Sequence, residues 1–522
     1  MAARCADSVF YNGKVLTFAL NRRSARAVAV EDGVIVAVGT DGEIRKSAPR
    51  GCAKYDLGGK VVVPGFIDCH THFIQMGLDS LNVNLSETDT IDEALALMKA
   101  AAGKIPEGQW IIGTCWRESK WKHGRFITRA DLDAACPKHP AAAHRICGHL
   151  SSVNSKAIEE IGITSKTPDV DLDAAGNMIG TVRESAVEIV RKVTEPDLAR
   201  KMKCLALATR KAHSLGVTSV HDNSAEGDLK VFQTAERSGK LGVRVRVNVP
   251  SRNLDAMLRL RLSGNFGNDR LMIGGLKIFC DGALGARSAA LSEPFADDPG
   301  NKGMFVHERK DLDHMVADAN DAGIQVAVHA IGDEGIEAAL SSIEAALDRN
   351  PRKDHRHRIE HLELPSANHI TRMRKRGIVA SMQPNFVGEW GGINGMYVDR
   401  LGPERAKRNN PFAEVLKAKV RMVFGSDCMP FSPLYGIHSA VNAPYPSQRI
   451  SVEDAVAAYT REAAYASFEE GLKGSIEDGK LGDFVVLAGD PFADPGNVAS
   501  VGVAKTIVGG EVVYDRAVSK KS

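Results

Sequence analysis

The sequence predicts an α/β protein: a (β/α)8 barrel of the TIM type, a small composite β-sandwich built from both termini, and a large insertion after the first barrel strand. Three observations point there. Short apolar runs rich in β-branched residues recur eight times in the middle of the chain, most of them separated by helical patterns. Continuous apolar strands alternating with helices mean a parallel sheet covered on both faces, and eight such units close a barrel. Strand and turn signals cluster at the two ends, and the stretch from Phe73 to about Arg200 is too long for one strand-to-helix loop.

Composition narrows the class. Of 522 residues, 43% are hydrophobic and 25% charged, ample for a core and against intrinsic disorder. Lys+Arg number 67 against 65 Asp+Glu, a net charge of +2, and aromatics are 6%. Neither a basic stripe nor a stacking platform is expected, so nucleic acid is not an expected partner. Nine cysteines, with no Cys-x-x-Cys pair, fit neither a disulfide framework nor a zinc knuckle. No apolar run of about 18 residues could span a bilayer. The N-terminal residues lack a signal-peptide core. The expectation is a cytoplasmic protein without a membrane partner, its oligomeric state open, a homodimer included.

At the ends, Val9-Phe10-Tyr11 and Lys14-Val15-Leu16 flank Asn12-Gly13, 28–30 and 34–38 flank Asp32-Gly33, and 505–508 and 511–514 flank Gly509-Gly510. Each reads as a hairpin. Residues 1–60 plus 471–522 are therefore expected to form the β domain. Residues 61–470 form the barrel, with a rim insertion at about 74–200, helical in part. Barrel strands are expected at 61–68, 217–222, 243–249, 275–281, 325–330, 358–362, 378–383 and 421–426. Helices are signalled by Thr90-x-x-Glu93, by the apolar spacing of 198–215 before Gly216, and by Ser451-x-x-Asp454.

Polar residues fall where these strands end. His70-x-His72 follows VVVPGFIDC, and residues i and i+2 of an extended chain share a face. His329 ends IQVAVHA, His361 follows one βα unit later in HRIEHLEL, and Asp427 ends VRMVFGSD. Singly, each is commonplace: a core histidine, a helix cap. Together they place imidazoles and a carboxylate at one mouth of the barrel, where barrel active sites lie, and that donor set suits Zn²⁺ or a similar divalent ion. Lys277 sits inside a buried strand, either paired with Asp281, snorkelling out to solvent, or desolvated. Desolvation lowers an amine's pKa. The neutral amine can take up CO₂ as a carbamate, which can bridge two cations. Gly474 to Lys480 matches G-x-x-x-x-G-K, but Leu481 replaces the required hydroxyl residue and the context is a turn into a strand, so no phosphate loop is expected.

VVVPGFIDCHTH, followed in order by Lys277, His329, His361 and Asp427, resembles the amidohydrolase superfamily. LDAACPKHPAAAHRICGHLSSVNSKA, LGVTSVHD, LKIFCDGALGARSA, HAIGDEGIEAAL, RIEHLEL, ASMQPNF and FGSDCMP resemble its amidohydrolase-3, YtcJ-like branch, which includes N-substituted formamide deformylases. The resemblance covers nearly the whole chain. It implies that His70 and His72 hold one metal with Asp427, and that His329 and His361 hold a second, bridged by carboxylated Lys277; whether one or two Zn²⁺-type ions bind stays open. It implies metal-activated water hydrolysing an amide-type C–N bond of a small molecule (N-acyl, N-formyl or cyclic amide), with Asp427 as proton shuttle. A lactone or ester hydrolase, a ring deaminase, and a barrel that only binds a ligand are the alternatives. Cys115-Trp116-Arg117 stands where the family often has Gly-Trp-Asp, and Gly482 where it usually has Ala. Trp116, His149, Asp281 and Arg287 are the candidates for the substrate wall; Asp281 and Arg287 could instead pair with each other.

Overall fold

The computed structural model describes residues 6–49, 51–118, 121, 124–146 and 150–519. The described residues divide into two compact units, 1–73 with 209–522, and 74–208.

In the first unit, eight strands run parallel in chain order: β1 (Phe66–Thr71), β2 (Val217–Asn223), β3 (Arg244–Pro250), β4 (Leu271–Phe279), β5 (Gln325–Ala330), β6 (Arg358–His361), β7 (Val379–Met382) and β8 (Met422–Phe424). A short strand, Phe266–Gly267, adds antiparallel to β4. β1, β2, β5, β6, β7 and β8 are buried along their whole length, as strands covered on both faces must be. Each buried Val, Ile or Phe contributes about 1.5–3 kcal/mol. β8 returns to β1 without a ladder, through two backbone donors: the Asp427 amide to the His70 carbonyl (2.8 Å) and the Ser426 amide to the Asp68 carboxylate (2.9 Å). Gly425 permits this approach, since a Cβ there would lie 2.4 Å from the His70 nitrogen. The expected barrel is thus observed, nearly closed. Its expected first strand, 61–68, is two strands split at Gly65: Val61–Pro64 belongs to another sheet.

That sheet has six strands, in the order Glu511–Asp515, Val503–Val508, Phe484–Leu487, Val61–Pro64, Lys14–Leu16, Ser24–Ala25. A four-stranded sheet, Val34–Gly39, Ala27–Glu31, Ser8–Tyr11, Ala53–Asp56, faces it. Both contribute to one core containing Phe10, Val30, Ile35, Val62, Phe484 and Ile507, with the Phe10 ring stacked on Tyr55 and edge-on to Phe484. The hairpins at Asp32-Gly33 and Gly509-Gly510 form, all four residues at positive φ. The one expected at Asn12-Gly13 does not. Its two strands enter different sheets, because the chain passes from one layer to the other there; a Cβ on Gly13 would meet Leu57 Cδ1 at 2.8 Å.

The 74–208 unit, expected to be partly helical, also carries its own six-stranded sheet, from Val83–Asn84 through Ile111–Trp116, Ala141–Arg145, Leu150–Val153 and Met178–Arg183 to Val170–Leu172. Helix Ile91–Ala102 starts at Thr90, whose hydroxyl accepts from the Glu93 amide. The segment 474–480 is a turn braced by Lys480 Nζ on Ser475 and Glu477, in keeping with a lead-in to strand Phe484–Leu487. Among the described residues no helix is long and apolar enough to cross a membrane, and seven cysteines are free thiols.

Candidate metal centre

The C-terminal ends of β1, β5 and β6, with the residues following β8, carry four imidazoles and a carboxylate to one mouth. His70 and His72 lie 5.9 Å apart by ring centroid, His70 and His361 4.7 Å, and His329 and His361 4.3 Å. Asp427 Oδ1 is 3.3 Å from His72 Nε2 and 3.7 Å from His70 Nε2. One ligand atom from each of His70, His72 and Asp427 lies within 4.8 Å of the others. Lys277 Nζ reaches to 3.5 Å from His70 Nε2 and sits over the Phe279 ring.

Tautomers follow from the hydrogen bonds. His70 Nδ1 is 2.7 Å from Glu360 Oε2, an acceptor only, so Nδ1 carries the proton and Nε2 a lone pair. His72 Nδ1 donates to the Asn223 carbonyl (3.0 Å), which turns Nε2 towards Asp427. Both Nε2 atoms face the Asp427 carboxylate. Two imidazoles, each oriented through its Nδ1, and a carboxylate form a donor set that fits a divalent cation. His329 Nε2 donates to the Gly282 carbonyl (3.0 Å), which leaves Nδ1 unprotonated, and buried His361 Nδ1 has no hydrogen-bond partner among the described residues.

The electrostatics favour the neutral form at three of the four imidazoles; at His72 burial is outweighed by the Asp427 carboxylate, which raises the pKa. Burial lowers the pKa of His70, His329 and His361, with Lys277 adding to the effect. Burial alone would raise the Asp427 carboxyl; His70 and His72 in their protonated forms, with the Lys277 ammonium, outweigh it and hold it at about 2. Burial brings the Lys277 ammonium down to about 8, within reach of its neutral form. His361 and Asp427 sit at φ +71° and +51°. Left-handed conformations cost a non-glycine residue about 1–3 kcal/mol and cluster where geometry serves function.

The residues expected to line the substrate wall have these surroundings, with Asp281 Oδ1 3.7 Å from His329 Nε2. Trp116 is fully buried in the 74–208 unit, stacked on Trp121 at 5.5 Å, with Nε1 donating to the Ala143 carbonyl (3.0 Å). Asp281 accepts from the amides of Ala290, Ile331 and Gly332, tying the loop after β4 to the end of β5. Arg287 pairs with Asp297 (2.7 Å), not with Asp281, the alternative partner considered for it. His149 lies outside the described residues.

The model of the amidohydrolase family matches residues 54–514. The chain belongs to the amidohydrolase family. YtcJ of Bacillus subtilis (strain 168) is 32% identical over 98% of this amidohydrolase and 100% of its own length. N-substituted formamide deformylase of Arthrobacter pascens is 28% identical, with 98% of each chain covered. A crystal structure of an uncharacterized metal-dependent hydrolase from Pyrococcus furiosus superposes with a TM-score of 0.80 at 30% identity, covering 93% of this chain and 99% of that one. Family and neighbours make this chain a hydrolase.

Residues that the sequence reading did not single out lie beneath the mouth. Glu360 and Arg358 are fully buried on β6, paired at 2.7 Å, and Ser381 on β7 joins them. The available signal was an Arg-x-Glu pair inside an otherwise buried strand, where uncompensated charge is costly.

Proposed function

We propose that this amidohydrolase is a zinc-dependent hydrolase of an amide-type C–N bond in a small molecule: an N-acyl, N-formyl or cyclic amide. The observation that carries the reading is the convergence of His70 Nε2, His72 Nε2 and Asp427 Oδ1. These three residues would hold one cation. His329 and His361 would hold a second, with Lys277 carboxylated by CO₂ as a bridge. A divalent cation so held lowers the pKa of water to about 7 and polarises a carbonyl.

The chain's residues supply the proton path. Asp427, ionised at neutral pH, accepts a proton from the attacking water as its oxygen bonds to the carbonyl carbon. It then delivers that proton to the nitrogen as the C–N bond breaks, giving an acid and an amine. Without this delivery the leaving group would be an amide anion, a very poor one. A turnover screen of N-acyl, N-formyl and cyclic amides with zinc-loaded protein tests the reading. Release of amine or ring opening in at least one class, lost in Asp427→Asn, supports it. Turnover of lactones or esters alone overturns it.

A further inference from the structure

Below the mouth, donors can be counted atom by atom. Glu360 Oε1 accepts from Arg358 Nε (2.7 Å); Oε2 accepts from His70 Nδ1 (2.7 Å) and from the Ser381 hydroxyl (2.7 Å). Arg358 spends its other nitrogens on the Cys69 carbonyl (2.7 Å), Ser381 Oγ (3.0 Å) and His221 Nδ1 (3.0 Å). Arg358 and Glu360 are both 0% exposed and His70 is 1% exposed, so water cannot substitute for any partner.

We infer that Glu360, clamped by Arg358 and Ser381, is a positioning residue that fixes His70 in the tautomer presenting Nε2 to the metal. The inference rests on the metal reading above. Its force lies in the polarity of the network. Every group facing Glu360 is a donor, so only an acceptor-only side chain satisfies all three. His221, whose Nδ1 accepts from Arg358, must be neutral and ends the chain of donors. A glutamine at 360 keeps the shape but turns two N–H groups inward. Facing Arg358, they oppose a donor; facing His70, they pull its proton to Nε2 and occupy the lone pair. Outer partners of this kind are worth 10–100-fold in metal affinity.

Two measurements test this. First, zinc affinity by chelator competition is compared between the wild type, Glu360→Gln and Ser381→Ala, the last removing one donor without stranding a charge. Glu360→Gln should bind 10–100-fold more weakly, and Ser381→Ala should be weakened less. Second, ¹⁵N-histidine spectra of the metal-free wild type, with His70 assigned by its loss in His70→Gln, should show Nδ1 protonated and Nε2 bare. This reading needs no folded Glu360 variant. Equal affinity in the wild type and Glu360→Gln, or a wild-type His70 protonated at Nε2, overturns the inference alone. A wild type that takes up no zinc overturns the metal reading and this inference with it.

Discussion

The Asp427 amide donates to the His70 carbonyl at 2.8 Å, so the two residues that join the last barrel strand to the first also face each other across the candidate metal centre. The join is made by backbone, the chemistry by side chain. Asp427→Asn should therefore lower kcat by about 10²–10⁴-fold while leaving the far-UV circular dichroism spectrum and the cooperative melt in place. Near-normal turnover would remove Asp427 as the proton carrier.

Chelation should abolish turnover, and added Zn²⁺ should restore it. It should also lower the melting temperature, because a ligand at 100 times its Kd stabilises the native state by about 2.7 kcal/mol. Turnover that persists after metal content falls below one-tenth of an equivalent would contradict the proposal.

Lys277, fully buried and lowered to about 8, should react with CO₂ at neutral pH. Labelled ¹³C-bicarbonate should yield a carbamate carbon resonance that Lys277→Met lacks. A spectrum identical in the two proteins would leave the lysine unmodified.

Trp116 packs in the core of the 74–208 unit. Trp116→Ala should cost about 3–5 kcal/mol by denaturant titration, and Trp116→Phe, which keeps a ring against Trp121 but loses the bond to Ala143, should cost less. Equal, negligible losses would show the ring to be dispensable.

Glu337, on helix Asp333–Arg349, accepts from Arg372 on helix Ala367–Arg376 at 2.6 Å, and that bond pulls its pKa to about 2. The folded pKa lies below the unfolded value of about 4.3. The pair's stabilisation is thus present above about 4.3 and drains away as pH falls towards 2. Because Glu337 is 41% exposed, solvent screening keeps the contribution to about 1 kcal/mol or less. The stability gap between wild type and Glu337→Gln, measured by urea titration, should narrow across that window; a gap constant from pH 7 to 2.5 would exclude the pair as its source.

Much of the mouth was legible because its groups interrupt apolar runs at strand ends: His70, His72, His329, His361 and Asp427 all do so. Glu360 and Arg358 escaped because they lie within a strand, and sequence does not say which neighbour neutralises them. Asn12-Gly13 misled because turn chemistry reports a local reversal, not which strand becomes the partner. The sheet of the 74–208 unit was hidden in segments such as AAAHR, whose alanines have little strand propensity and whose pairing depends on tertiary neighbours.

Strand Val61–Pro64 lies between Lys14–Leu16, near it in sequence, and Phe484–Leu487, far from it. A ribosome adding about 5–20 residues per second delivers the second neighbour roughly 20–80 s after Val61–Pro64 itself. Throughout that wait a hydrophobic edge stands open to any stray β-segment. Nascent-chain production of this protein should therefore depend on chaperones until translation is nearly done.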